Sequence, residues 1–225
     1  NLLGLIQRDH DLVITHGNGP QVGNILLQNQ AGSQVHGIPE MPLDICGAYS
    51  QGFIGYMIEQ QLLNVFAVNK MDKNVITLVT QVLVDKEDPA FKNPTKPIGP
   101  YYSKEDADKI HAATGSIFKE DPKGNGWRKV VASPFPKDVL NKNAVEKLSR
   151  EGNIVVAVGG GGIPVFYVEP NKLQGIDAVI DKDLASALLA SQIQADEFFI
   201  LTDVPKVYIN FRKENEKALD TITVA

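Results

Sequence analysis

Cysteine is almost absent from this sequence, since its 225 residues include one, Cys46. A single thiol excludes an intramolecular disulfide, so the chain cannot rely on the crosslinks that stabilise small secreted proteins. Nothing in the cysteine content indicates an oxidising compartment. We therefore expect a cytoplasmic location.

Runs of basic residues and long apolar runs are also missing. The 22 Lys and Arg residues are scattered and are outnumbered by 27 Asp and Glu residues, which gives a formal net charge of −5. Nucleic acid is therefore not an expected partner, because binding it requires a basic patch or stripe. No apolar run approaches the ~20 residues that span a bilayer. We expect neither a membrane partner nor a signal peptide.

Several motifs that would indicate a particular chemistry are lacking. The sequence has no Gly-Lys-Ser/Thr phosphate loop, no Gly-x-Gly-x-x-Gly at a helix start and no Gly-x-Ser-x-Gly turn. The histidines at 10, 36 and 111 have no metal-ligand spacing with Cys46 or with each other. These absences exclude P-loop binding and serine hydrolysis, and we predict no metal held by the protein.

Units of strand, turn and helix recur along the chain. An apolar run at residues 12–14 leads through a glycine turn to apolar residues at helical spacing, and residues 154–158 are typical of a strand buried on both faces. This recurrence predicts an α/β fold, a three-layer αβα sandwich with a mainly parallel central sheet. Further helices are predicted at 53–63, 103–111, 143–152 and 183–194, and strands at 75–84, 164–168, 178–180 and 198–201.

Residues 85–136, which we call the arm, differ from the rest of the chain in composition and hydrophobic pattern. Proline and glycine are frequent, and core periodicity is lacking apart from a short helix that Ser103 could cap. We expect this segment to protrude from the surface. Lys96 lies between Pro94 and Pro97, which restrict the backbone and would present the lysine on a stiff segment. An exposed lysine taken alone is usually only solvated.

Two glycine turns follow predicted strands. At the first, free N–H groups and a helix dipole would favour an anion, although a structural turn explains the glycines as well. This turn contains Gly17, Asn18 and Gly19. In regular structure each glycine of the second turn costs about 0.5–1 kcal/mol relative to alanine, so we expect something to approach its backbone. A flexible loop or tight hairpin is the alternative. The second turn consists of Gly159, Gly160, Gly161 and Gly162.

Two carboxylates and an ammonium group lie at the start of the helix predicted at 183–194. Asp181 or Asp183 could simply cap this helix. Lys182 is unfavourable at the positive end of a helix dipole unless an anion binds nearby, and a phosphate would supply that anion. Thr202 and Asp203 follow the strand predicted at 198–201, at an edge where ligands bind in such sheets.

Six motifs, in order along the whole chain, resemble those of the carbamate kinases in the amino acid kinase family. They are His16-Gly-Asn-Gly-Pro-Gln-Val-Gly23, Pro42-Leu-Asp-Ile-Cys-Gly-Ala48, Lys96-Pro-Ile-Gly-Pro100, Gly159-Gly-Gly-Gly-Ile-Pro164, Ile180-Asp-Lys-Asp-Leu-Ala-Ser186, and Thr202-Asp203 with Tyr208-Ile-Asn-Phe211. The resemblance implies the amino acid kinase fold, with an acceptor lobe at residues 1–165 that includes the arm and a nucleotide lobe at 166–225. It also implies a homodimer.

The resemblance further implies a reaction, the reversible transfer of a phosphoryl group between carbamoyl phosphate and ADP to give ATP and carbamate. This would be the ATP-generating last step of arginine breakdown. By likeness, Lys182 would touch the transferring phosphoryl group, Asp183 would orient the catalytic lysines, and Lys96 would reach carbamoyl phosphate. The glycine turns would hold acceptor and phosphate, and Mg²⁺ would arrive with ATP or ADP. The nucleotide site would be lined by Thr202, Asp203, Val207 and Tyr208.

The sequence departs from the family pattern in three places. A Gly-Gly-Asn turn near the family's start and a later lysine-bearing motif are not found, so we expect the sequence to be partial. Arg212 occupies a position where family members usually carry glycine. Two other functions stay open: a related kinase of an amino-acid carboxylate, and a binding domain without catalysis. The arm argues against the first, and retention of Lys96, Lys182 and both turns argues against the second.

Overall fold

The computed structural model describes residues 2–202 and 204–223, which contain both helices and strands. None of the helices in these residues is both long and apolar enough to cross a membrane. The helices are α1 (Leu2–Gln7), α2 (Gly19–His36), α3 (Leu43–Val68), α4 (Lys104–Thr114), α5 (Lys142–Arg150) and α6 (Lys182–Gln192). The strands are β1 (Val13–Ile14), β2 (Val75–Thr77), β3 (Gln81–Leu83), β4 (Lys96–Tyr102), β5 (Phe118–Glu120), β6 (Trp127–Val131), β7 (Asp138–Val139), β8 (Ile154–Val156), β9 (Ile163–Glu169), β10 (Lys172–Gly175), β11 (Val207–Ile209) and β12 (Lys217–Leu219).

Strand β8 is the centre of a parallel sheet, with β1 on one side and β2 on the other. All three of its residues are buried. Val155 packs in a cluster that includes side chains of α5 and α6, whereas Ile154 and Val156 pack with side chains of α1 and α3. Helices therefore cover both faces of the parallel sheet, and the predicted α/β sandwich is confirmed.

The strand predicted at 75–84 is divided between two sheets. Its first part, β2, belongs to the parallel sheet, and its second part, β3, joins a mixed sheet in the order β10-β9-β3-β7. The division falls at Thr80, whose N–H donates to the side-chain carbonyl of Gln51 (2.8 Å) and whose C=O accepts from its amide (3.2 Å). The C=O of Thr80 also accepts from the N–H of Ile163 in β9 (2.9 Å), so a side chain of α3 replaces a strand partner only at the N–H.

The arm contains more regular structure than its composition predicts. Strands β4, β6 and β5 form an antiparallel sheet in that order. The prediction that Ser103 caps a helix is confirmed, because its hydroxyl accepts from the N–H of Asp106 (3.0 Å) at the start of α4. Ile98 of β4 is buried in one apolar cluster with Val22 of α2. This contact seats the arm on α2.

Three sequence predictions are wrong in detail. The helix predicted at 143–152 is α5, which spans Lys142–Arg150 and has Asn141 at its N-cap position. Residues 178–180 do not form a strand and have one isolated bridge, from Ala178 to Ala132. Residues 198–201 are exposed and pair with no strand among the described residues. A strand needs a neighbouring backbone for its hydrogen bonds, so β-forming side chains alone do not produce one.

Candidate active site

Two loops meet at the carboxyl ends of β1 and β8. Adjacent parallel strands end at the same edge of a sheet, so the turn after each strand lies beside the other. The N–H of Gly160 in the second turn donates to the carbonyl of His16 in the first (2.7 Å). The hydroxyl of Ser186 in α6 donates to that of Thr15 (2.8 Å), which holds α6 at this edge as well.

Three of the four glycines of the second turn are buried, and all four are tightly packed. A Cβ atom on Gly159 would lie 2.4 Å from the His16 ring, and one on Gly160 would lie 2.1 Å from the Asn18 amide. The other two glycines are as close to their neighbours, which are Ile180 for Gly161 and Val82 for Gly162. The expectation that something approaches this backbone is confirmed, and what approaches is the protein's own side chains and backbone.

Two buried polar side chains of α3 form hydrogen bonds to the two turns and hold them in place. Asn18 is 5% exposed, and its amide donates to the hydroxyl of Ser50 (2.7 Å). The amide of Gln51, 1% exposed, donates to the carbonyl of Gly159 (2.9 Å). Buried polar groups need such partners. Ser50 and Gln51 were not predicted as site residues, because both precede the helix predicted at 53–63, whereas α3 begins at Leu43.

Free backbone donors are found at the first turn, whereas three of the four N–H groups of the second turn are bonded within the protein. Within residues 2–202 and 204–223, the N–H groups of Gly160, Gly161 and Gly162 donate to protein carbonyls. Those of residues 17–19 have no protein acceptor in the same part of the chain, and no side chain caps the start of α2. An anion binds favourably where free N–H groups and a helix N-terminus coincide. The first turn is therefore the candidate anion site.

Lys182 is the first residue of α6 and lies across the first turn. A Cβ atom on Gly17 would be 3.1 Å from its Cδ atom. Its ammonium group is 3.1 Å from a carboxylate oxygen of Asp183, and both side chains are about half exposed, at 46% and 50%. The carboxylate offsets the unfavourable position of a cation at a helix N-terminus. Lys182 thus brings a cationic side chain to the first turn.

Lys96 reaches the start of α6 from the arm. Its ammonium group is 2.8 Å from Oδ2 of Asp181, the N-cap residue of α6. The Oδ1 atom of Asp181 accepts from the N–H groups of Asp183 and Leu184 (2.9 and 3.3 Å). Partial burial raises the pKa of Asp181, but Lys96 and the two N–H groups outweigh this effect and lower the pKa below its ordinary value. The carboxylate is ionised at neutral pH.

His16 contributes no charge to the site. Burial lowers the pKa of its ring, an effect that a hydrogen bond between Nδ1 and the carbonyl of Gly17 (3.0 Å) opposes only in part. The imidazole is therefore neutral at pH 7, where it packs against Gly159. The positive charge at this edge of the sheet comes from Lys96 and Lys182.

The residues predicted to bind nucleotide lie in and before a hairpin formed by β11 and β12. Thr202 is exposed, and Val207 and Tyr208 are in β11. The ring of Tyr208 packs against that of Phe211, with centroids 5.3 Å apart. Asp203 lies outside the described residues. In the part of the chain that is described, no hydrogen bond or ion pair joins this hairpin to the two lysines, so the nucleotide assignment stays a prediction.

Known proteins are similar to this chain in sequence and in fold. The model of the amino acid kinase family matches residues 1–225. The carbamate kinase of Trichomonas vaginalis is 49% identical over 225 residues, which are 100% of this chain and 71% of that protein. The chain belongs to the carbamate kinases. A carbamate kinase of Pyrococcus furiosus is 50% identical over 220 residues, 98% of this chain and 69% of its own.

Solved structures of carbamate kinases have the same fold as this one. The enzyme of Giardia lamblia bound to citric acid superposes with a TM-score of 0.86 at 48% identity, covering 94% of this chain and 67% of that one. The same enzyme bound to AMP-PNP superposes with a TM-score of 0.84 at 46% identity, covering 97% of this chain and 68% of that one. This carbamate kinase is thus a phosphotransferase, as the motifs predict, and it spans about seven-tenths of the length of its relatives.

Proposed function

We propose that this carbamate kinase transfers a phosphoryl group reversibly between carbamoyl phosphate and ADP, giving ATP and carbamate. The observation that supports this most is that Lys96, Lys182 and the free N–H groups of the first turn lie at one edge of the sheet. Phosphoryl transfer needs positioning and charge neutralisation more than covalent help from the protein. We further propose that the reaction runs toward ATP in the cytoplasm, as the last step of arginine breakdown.

Each group at this edge has a proposed role. Lys182 contacts the transferring phosphoryl group, and Asp183 orients it through their ion pair. Lys96 contacts carbamoyl phosphate from the arm. The N–H groups of Gly17, Asn18 and Gly19 bind the phosphate. The turn of four glycines shapes the floor beneath the acceptor, because the N–H groups of its last three residues are already bonded within the protein.

The proposed nucleotide lobe, residues 166–225, carries Thr202, Asp203, Val207 and Tyr208, and residues 1–165 form the acceptor lobe. The relative that binds AMP-PNP aligns with 97% of this chain, which supports a nucleotide site. Asp181 and Asp183 are both paired with lysines, and no cluster of three or more metal-binding side chains occurs among the described residues. Mg²⁺ therefore fits best on phosphate oxygens and water, where it would neutralise phosphate charge.

An assay of ATP formation from carbamoyl phosphate, ADP and Mg²⁺ tests this function. We expect ATP to accumulate with carbamoyl phosphate and far more slowly with acetyl phosphate, which lacks the carbamoyl nitrogen. ATP with glutamate or aspartate tests the alternative of an amino-acid kinase. Nucleotide binding by a folded protein that forms no ATP would contradict the proposal and favour a binding domain.

A homodimer is the proposed assembly, and α3 carries the surface that supports it. This 26-residue helix presents large apolar side chains at intervals of three or four residues on its exposed side. They are Ile45, Tyr49, Phe53, Tyr56 and Met57. An extended apolar stripe exposed on a helix indicates a protein contact. A second copy of the chain is the proposed partner, with the two α3 helices packed together.

Replacing Tyr49 and Tyr56 together by glutamate is expected to convert the dimer to a monomer. Four carboxylates would then face one another across a symmetric contact, and burying unpaired charge is costly. Light scattering after size-exclusion chromatography measures the mass. Val35→Glu is the matched control, because Val35 is 72% exposed on α2. A double variant that keeps the dimer mass would place the contact elsewhere.

A further inference from the structure

The ion pair between Lys96 and Asp181 joins segments that are 85 residues apart in sequence. Lys96 opens the first strand of the arm, and Asp181 opens α6. The two side chains are 29% and 37% exposed, so the pair is partly shielded from solvent. This pair therefore connects the arm directly to the helix that carries Lys182.

The two oxygens of Asp181 have different partners. Oδ1 caps α6 by accepting from two N–H groups, and Oδ2 accepts from Lys96. Asparagine caps a helix about as well as aspartate, because capping uses a single side-chain oxygen. The negative charge and the second oxygen are therefore not needed for the helix.

The charge is needed to bring two lysines to one place. Lys96 and Lys182 both lie at the start of α6, where each is repelled by the other and by the positive end of the helix dipole. Asp183 offsets this repulsion for Lys182. Asp181 is the carboxylate that offsets it for Lys96.

We propose that Asp181 is a positioning residue that holds the ammonium group of Lys96 at the start of α6 before substrate binds, an inference that rests on the proposed function. An incoming phosphate then meets an ammonium group that is already in place. Removal of the carboxylate lets the lysine and the arm sample positions away from the site. The loss is in turnover, because misplaced catalytic groups slow the chemical step.

The variant Asp181→Asn separates the two tasks, since it keeps the cap and removes the charge. We expect its unfolding midpoint to stay within about 2 °C of wild type and its kcat for ATP formation to fall about tenfold. The same substitution in a Lys96→Ala background should cause no further loss, because its effect acts through Lys96. Detection of ATP by luciferase keeps slow variants measurable.

A second measurement does not depend on activity. Acetylation by a water-soluble succinimidyl ester, followed peptide by peptide with mass spectrometry, reports how free each lysine is. Asp181→Asn should raise the rate at Lys96 by at least about threefold. The internal reference is Lys104, which is exposed and paired with Asp108, and its rate should not change.

Three results are decisive. Equal acetylation of Lys96 in the two proteins would overturn the proposal whatever the activity. Additive losses in the double variant would also overturn it, because Asp181 would then act independently of Lys96. A wild-type protein that forms no ATP would instead overturn the proposed function, and acetylation would still decide whether Asp181 holds Lys96.

Discussion

Replacement of Lys182 by alanine is expected to lower kcat for ATP formation by about 10²–10³-fold, the usual effect of removing a group that stabilises transition-state charge. The Cδ and Cε atoms of the Lys182 side chain lie beside Gly17 of the first turn, where negative charge would be bound. Its side chain is about half exposed and paired with Asp183, so the core loses little when it is removed. Steady-state kinetics and thermal unfolding measure the two effects.

The matched control is Lys104→Ala. Lys104 is also an exposed lysine with a carboxylate partner, Asp108 at 2.8 Å, but it lies on α4 of the arm. This variant should keep the kcat of the wild type. A Lys182→Ala protein with kcat within about threefold of wild type would contradict the proposed role, because so small a change in barrier is under 1 kcal/mol.

A methyl group on Gly23 is expected to push the arm off α2 and to lower kcat about 100-fold. The added Cβ atom would lie 2.1 Å from the Cα and N atoms of Gly99, which are backbone and cannot rotate away. Gly99 is in β4, three residues after Lys96, so relief of the overlap moves the lysine. A misplacement of about 1 Å can cost this much in rate. Overpacking should also lower the free energy of unfolding by about 1–3 kcal/mol.

Gly32→Ala provides the comparison on the same helix. Its Cβ atom would lie 3.9 Å from the Ile38 side chain, an ordinary contact. We expect unchanged kcat and a gain in stability of up to about 1 kcal/mol, because alanine favours helix more than glycine does. If Gly23→Ala also retained wild-type kcat, the contact between α2 and the arm would not set the position of Lys96.

The elements whose signals are local could be predicted from the sequence. Strand β8 is an uninterrupted apolar run that ends in glycines, and α4 begins with a serine that caps it. The start of α6 was also foreseen, with Asp181 as one of two candidate caps. In each case the deciding interactions lie within a few residues.

The elements that depend on distant partners could not be predicted. Residues 198–201 have strand-forming side chains, but strand formation requires a neighbour that no local pattern specifies. The run at 75–84 is divided because Gln51, far away in sequence, binds the backbone of Thr80. Sequence periodicity reports which face is apolar, not which side chain will interrupt a ladder.

In the candidate site, too, local motifs were predictable and contacts between distant segments were not. The motifs identified the glycine turns and the two lysines, and the structure brings these residues to one edge of the sheet. They did not show that the side chain of Asn18 occupies the space left by Gly160, or that Asp181 pairs with Lys96. Both contacts join segments far apart in sequence, and only tertiary packing creates them.

Few substitutions should be tolerated in the middle of α3, because both of its faces are in use. Its inward residues, Ser50 and Gln51, hold the floor of the site, and its outward residues, Tyr49 and Phe53, belong to the proposed dimer surface. Most enzyme helices have one constrained face and one that can change over generations. If a second subunit packs on its outer side, the middle of α3 has no unconstrained face. Selection on assembly and selection on catalysis would then act on the same few residues.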